Sequence, residues 1–418
     1  MPFRSALSGI NAAAQDLRVI GNNVANASTT GFKTSRAEFA DVYAATDGGA
    51  SNAIGAGVRL SGVSQQFGQG NIEFTDNKLD LAVNGRGFFV LDDNGSRSYT
   101  RAGSFQVDRD GFVVNASADK LVVNNADESG EISGAVGPLR LDRSNIVPKA
   151  TSRVDVGLNL DSSQSMPSTL PFNPEVPSSF THSTSLTVYD SLGAPHLSTM
   201  YYVKGAEPNT WATHLFVDGK DAKGGAAPPF SGDILKFNGA GGLESINGAA
   251  APPGELTYSG IDTGSGSEPL DIILNLQAGT PTTQFGTKFS VSALTQNGYT
   301  SGRLSGIDID DTGIIRARYS NGQTRTLGQV TLSDFSNPQG LRQLGNTNWA
   351  ESFASGVPLV GTPGSGSLGQ LQSGALEGSN VDLTGQLVNM IKAQRNFQAN
   401  AQVITTADTV TQTIINIR

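Results

Sequence analysis

FRSALSGINAAAQDLRVIGNNV (residues 3–24) decides the architecture at one end of the chain. Steps of four and three from Phe3 pass through Leu7, Ile10, Ala14, Leu17, Gly21 and Val24, and all but Gly21 are apolar. Arg4, Ser8, Asn11, Gln15, Asp16 and Arg18 fill the positions between. This is a heptad seam on one amphipathic helix. Pro2 sits where a first helical turn tolerates proline, and NASTTG (26–31) has the residues that end a helix and begin a loop.

The other end carries the same kind of pattern. The same steps give Leu383, Leu387, Met390, Gln394, Phe397, Ala401, Ile404, Asp408, Thr411 and Ile415, and Val388, Ile391, Val403 and Val410 widen the stripe. Ser379 and Asn380 are candidate N-caps, with Asp382 as a negative charge in the first turn. No Gly or Pro interrupts 386–418, so the sequence predicts a helix on the order of 50 Å long at 1.5 Å per residue. The backbone entropy of ordering a terminal helix exceeds what burying one narrow seam returns. Each end therefore needs a partner: the other terminus and neighbouring copies of the chain. The ends are expected to be mobile in the free subunit and to order on assembly.

Between them the chain reads as β. FFVL (88–91), DDNG (92–95) and SYTR (98–101) form one hairpin signal, and Asp110-Gly111 centres another. The style returns at 300–350, with turns at Asp311–Gly313 and Asn321-Gly322. The section between differs: a Pro- and Ser-rich stretch, 162–179, reads as an exposed loop. Alternating strands follow around Leu186–Val188, Leu197–Val203, Trp211–Val217 and Ile272–Leu276. The fold class is thus mainly β with α-helical termini: nested β domains plus a pair of N- and C-terminal coiled-coil-like helices. The expected organisation is paired terminal helices at 1–26 and 379–418 and connectors at 27–70 and 361–378. A β domain spans 71–146 and 293–360, and an inserted β domain 147–292.

Composition narrows the function. The chain has 418 residues, a net charge of −9 and scattered Lys and Arg, which argues against a nucleic-acid partner. No apolar run approaches a membrane span, so no membrane insertion is expected. No h-region marks a secretory signal, so export, if it occurs, leaves no cleavable peptide. Cysteine is absent, which excludes disulfides and thiolate chemistry. His182, His196 and His214 show no metal-site spacing and read as single residues on strands or loops. DIDDTG (308–313) has Gly in the sixth place of a calcium loop but Tyr319 where a bidentate Glu belongs, so it reads as a hairpin turn. GTPGSGSLG (361–369) lacks the Lys-Ser/Thr of a phosphate loop and reads as a flexible linker. No catalytic constellation, cofactor site or metal site is expected.

Several stretches carry a family resemblance. SGINAAAQDLRVIGNNVANASTTGFK (8–33) closely resembles the N-terminal motif of the bacterial flagellar axial proteins, with Asn22, Asn23, Asn26, Gly31, Phe32 and Lys33 at motif positions. LEGSNVDLT (376–384) and AQRNFQANA (393–401), with Gln394 and Arg395, resemble their C-terminal motif. TRAGSF (100–105) resembles a segment shared by rod and hook proteins; YSNGQ (319–323), LGQV (327–330) and SLGAPH (191–196) are similar to hook proteins. The resemblance implies a hollow helical tube of many copies, acting as a universal joint between rod and filament. The terminal helices would line its channel, with the inserted domain outermost. Implied partners are the rod protein, hook cap, hook-filament junction proteins and the flagellar export apparatus, and the implied location is the hook and basal body. A distal rod subunit is the nearest alternative, and the insertion speaks against it. An extracellular β-rich adhesin would need repeated acidic loops.

Overall fold

The structure, a computed structural model, describes residues 2–42, 55–127, 129–142, 144–251 and 254–416. Helix α1 (Pro2–Ala25) opens the chain and helix α2 (Leu383–Asn416) closes it, and the described residues between them are strands and turns with two short 3-10 turns. The chain forms two compact units. The first comprises Met1–Arg143, Gly306–Arg318 and Thr324–Arg418; the second comprises Ser144–Ser305 and Tyr319–Gln323.

In the first unit, strand Phe88–Asp93 shows why its sequence is an unbroken apolar run. Successive side chains point to opposite faces. Phe89 and Leu91 enter one core with Leu121, Val123, Ile315 and Leu332. Phe88 and Val90 enter another with Tyr99, Phe335 and Trp349. The strand pairs with Ser96–Thr100 through the turn at Asn94 and Gly95, both at positive φ, as the Asn-Gly signal predicts. The Gly111, Gly313 and Gly322 turns are likewise left-handed. The 308–313 stretch is a hairpin turn: the Asp310 carboxylate accepts the Thr312 and Ile314 N–H groups and the Thr312 hydroxyl.

Both predicted connectors contain paired strands. Ser35–Asp41 pairs antiparallel with Val58–Gln65, while 43–54 of the same stretch lies outside the described residues. Gln370–Ser373 pairs with Leu81–Asn84, and Ala375–Glu377 with Ile72–Phe74. The stretch read as a flexible linker is pinned too: Gly369 donates its N–H to Arg86 O at 2.8 Å and Leu368 packs on the core. Backbone that runs beside a sheet takes its hydrogen bonds there, and glycine-rich composition does not reveal that option.

The second unit holds two sheets. One runs His182–Tyr189, Pro195–Lys204, Thr210–Val217, Asp233–Phe237, Leu243–Ile246 in neighbour order. The other is built around Arg153–Asp161, flanked by Leu270–Asn275 and Ser290–Gln296. A core that includes Trp211, Leu235, Phe237, Ile272 and Leu274 holds it together. Because Ser290–Gln296 pairs along Arg153–Asp161, this unit continues past the expected limit of 292, to Ser305. The 162–179 loop is not wholly exposed: Phe172 is buried and stacks on His214 at 4.1 Å.

Candidate assembly surface

Helix α1 lies antiparallel to α2. Near one end the Asn23 amide donates to Gln386 Oε1 at 3.2 Å; near the other, Gly9 faces Asn400 so closely that a Cβ would collide with its amide. The buried row of α1 is Ala6, Ala13 and Ile20, with Asn23, and the buried residue of α2 is Ala393. This row has the heptad spacing of the predicted seam but stands one position ahead of Leu7, Ala14 and Gly21. At Ala6, Ala13 and Ala393 small side chains let the two backbones approach, and Ile20 is the one large apolar side chain of the buried row.

The apolar residues of the predicted seam are therefore left exposed or only half-buried. Phe3 is 51% exposed, Leu7 48%, Leu387 51% and Ile415 66%. Leu383, Phe397 and the flanking Val388, Ile391, Val403, Val410 and Ile414 are also exposed. Ile10, Ala14, Leu17, Val24, Met390, Ala401 and Ile404 are half-buried. Phe3 joins Val403, Ala407 and Val410 around an open apolar groove of about 730 Å³. The N-cap of α2 is Asp382, whose carboxylate accepts the Thr384 N–H at 3.0 Å and whose carbonyl accepts that of Gln386. Ser379 and Asn380 are not the cap. Asn380 is used elsewhere: its Oδ1 accepts the Thr34 N–H at 2.7 Å, and its Nδ2 donates to Gln66 O and Gly68 O.

Below the helix pair sits a buried ionic latch. Lys33 Nζ lies 2.6 Å from Glu377 Oε1, and Arg101 NH1 lies 3.0 Å from Glu377 Oε2. The Lys33 and Glu377 side chains are fully buried. Glu377 also accepts the Gly70 N–H at 2.8 Å, Lys33 donates to Gly68 O, and Arg101 NH2 donates to Gly85 O. Burial pushes the Lys33 pKa below the usual lysine range, opposed by the charge and hydrogen bond of Glu377. Gly31 approaches the same point at φ +70°, its N–H donating to Glu377 O, and a Cβ there would strike the Ala102 backbone. Asn23 exchanges two hydrogen bonds with the Ser35 backbone, at 2.7 and 2.9 Å, as a strand would. Asn26 accepts from the Thr29 hydroxyl and donates to Asn22 O, closing the turn after α1.

The structure thus gathers Asn23, Gly31 and Lys33 at one place. Asn22, Asn26 and Phe32 line a polar cleft of about 660 Å³ with Gln65 and Trp349. Gln394 and Arg395 stand exposed on α2. Arg101 and Glu377 were not singled out from sequence, although both lie in quoted motifs. The usable signal was one Glu and two cations, Glu377, Lys33 and Arg101, each within a quoted motif. His196 is a second miss: it sits between two carboxylates. Among the described residues no cluster of three or more His, Asp or Glu is placed to hold a metal ion, and no helix is long and apolar enough to cross a membrane.

Four family models match this chain. The flagella basal body rod protein model covers residues 3–33, and the flagellar hook protein FlgE/F/G D1 domain covers 82–157. The flagellar basal body protein FlaE D2 domain covers 159–299, and the flagellar basal body rod FlgEFG protein C-terminal model covers 372–417. These define the class: the rod and hook proteins of the bacterial flagellum. The flagellar hook proteins FlgE of Salmonella typhimurium and Escherichia coli are each 38% identical to it, with 100% of both chains covered. That of Borreliella burgdorferi is 31% identical over 99% of this chain and 98% of its own. The chain belongs to the flagellar hook protein family. The crystal structure of Helicobacter pylori flagellar hook protein FlgE2 shares the fold, with a TM-score of 0.55 at 13% identity, covering 73% of this chain and 100% of that one.

Proposed function

We propose that this chain is the self-assembling structural subunit of a flagellar hook, a flexible hollow tube that passes torque from rod to filament. The observation that carries this reading is α2: a helix of 34 residues with Ala393 as its buried residue and an apolar stripe open to solvent. Fully burying a Leu or Ile contributes about 1.5–3 kcal/mol, so neighbouring helix pairs have a strong reason to pack together. Those pairs would form the tube's inner layer, and the inserted domain its outer surface. In this role the chain acts by packing and catalyses nothing. Its partners are copies of itself and, at the ends of the tube, rod, cap and junction proteins. It leaves the cell through the flagellar export apparatus.

Leu387→Asp and Ile391→Asp test this, because both side chains are exposed and Ala393 is the buried residue of α2. Leu17 and Ile404 are half-buried and less clean choices. Each variant is expected to keep the circular dichroism of the parent subunit and to form no curved hollow tubes by electron microscopy. Normal tubes from either variant would refute the assignment of this face.

A further inference from the structure

His196 lies at the start of strand Pro195–Lys204 in the second unit and is 7% exposed. Its Nδ1 is 2.6 Å from Asp218 Oδ2, and its Nε2 is 3.3 Å from Asp190 Oδ2. The two carboxylates belong to different turns. Asp190 accepts the Leu192 and Ala194 N–H groups on Oδ1 and the Ser265 hydroxyl on Oδ2. Asp218, at positive φ in a hairpin turn, accepts the Leu197 N–H on Oδ1. One imidazole therefore joins the 190–194 turn, the 218–219 turn and, through Ser265, the 262–267 loop.

We propose that His196 is a proton-operated clasp of the inserted unit, closed when both ring nitrogens carry protons and released on the Asp190 side when one is lost. A neutral imidazole has one N–H. The shorter bond, to Asp218, keeps it, and the Nε2 lone pair then faces the buried Asp190 carboxylate. The charged groups facing the ring are Asp190 and Asp218, and Lys220 acts on Asp218. Lys220 Nζ donates to Asp262 O, and the Glu268 N–H donates to Ser191. Burial opposes the charged form, but the bonds from Asp218 and Asp190 outweigh it and hold the His196 pKa above the ordinary value. Stability from a raised pKa is complete below the unfolded value and fades as pH rises through the folded one. The clasp is thus closed in acid and open in alkali.

The test uses the full-length subunit with its histidines 13C-labelled at Cε1, and His196→Gln assigns the resonance. His196 is expected to titrate above 6.5, and His182 and His214 below it. Amide exchange, corrected for the intrinsic pH dependence, is expected to accelerate at Ala194 as pH rises from about 6 to 9, the side on which the raised pKa loses its contribution. Leu197 keeps its protection. In Asp190→Asn the side-chain oxygen still accepts the Ala194 N–H, and the pH dependence is expected to vanish. A His196 midpoint at or below 6.5, or an unchanged pH trend at Ala194 in Asp190→Asn, overturns the proposal. If that variant does not fold, the wild-type titration and the Ala194 trend decide the matter alone.

Discussion

Replacing Glu377 with alanine removes one carboxylate from between two buried cations. Lys33 loses a contact of 2.6 Å and Arg101 one of 3.0 Å, and the Gly70 N–H loses its acceptor. Breaking a buried ion pair by deleting one partner costs about 3–5 kcal/mol, because the remaining charge stays out of water uncompensated. Here two charges remain, facing each other, so the upper part of that range applies. Lys33→Met is milder, since Glu377 keeps Arg101 and the Gly70 N–H. Its cost is roughly 1–3 kcal/mol for the unpaired acceptors. The two tryptophans make the assay selective: Trp349 lies in the first unit and Trp211 in the second. In a Trp211→Phe background, urea unfolding followed at Trp349 should show a midpoint lower by about 1–2 M for Glu377→Ala at a slope of about 3 kcal/mol per M, the upper end for urea that a unit of this size warrants. In a Trp349→Phe background, Trp211 should report no change. A Trp349 midpoint within experimental error of the parent, or Lys33→Met more damaging than Glu377→Ala, would refute the reasoning.

Gly31→Ala forces a side chain into the left-handed region and against the Ala102 backbone. It should lower the thermal midpoint of the first unit, with a loss of roughly 1–3 kcal/mol. Ala13→Leu overfills the close α1–α2 contact and should cost about 1–3 kcal/mol, seen as faster amide exchange along α1, whereas Ala13→Ser should be tolerated. His214 has its pKa pushed down to about 4 by burial. Unfolded chains bind the proton more readily, so the second unit should lose stability as pH falls from 6.5 toward 4; His214→Phe should flatten that slope in pH-dependent melting.

The terminal helices and the hairpins were legible because each rests on local signals: heptad spacing, and Asn-Gly or Asp-Gly between apolar runs. The phase of the helix pair was not. Spacing alone ranks Leu7 above Ala6 by hydrophobicity, whereas close packing of two backbones selects Ala6, Ala13 and Ala393. The large residues Phe3, Leu7, Leu383 and Leu387 then stay exposed. The latch was hidden for another reason. Lys33 and Glu377 are 344 positions apart, and no periodicity links them. His196 read as solitary because Asp218 reaches it across a strand pairing rather than along the chain. The strands within 361–378 were concealed by glycines that suggest mobility wherever their backbone partners are unseen.

The latch and the helix pair also record whether the polypeptide is whole. Asn23 reaches Gln386, 363 positions on, and among the described residues α2 is the one other α-helix for α1 to lie against. A chain that stops short of Glu377 leaves Lys33 and Arg101 without their common anion and α1 without its mate. Closing so long a loop belongs to the slow, late steps of folding. Until it closes, Lys33 and Arg101 lack their shared carboxylate and the α1–α2 contact is absent.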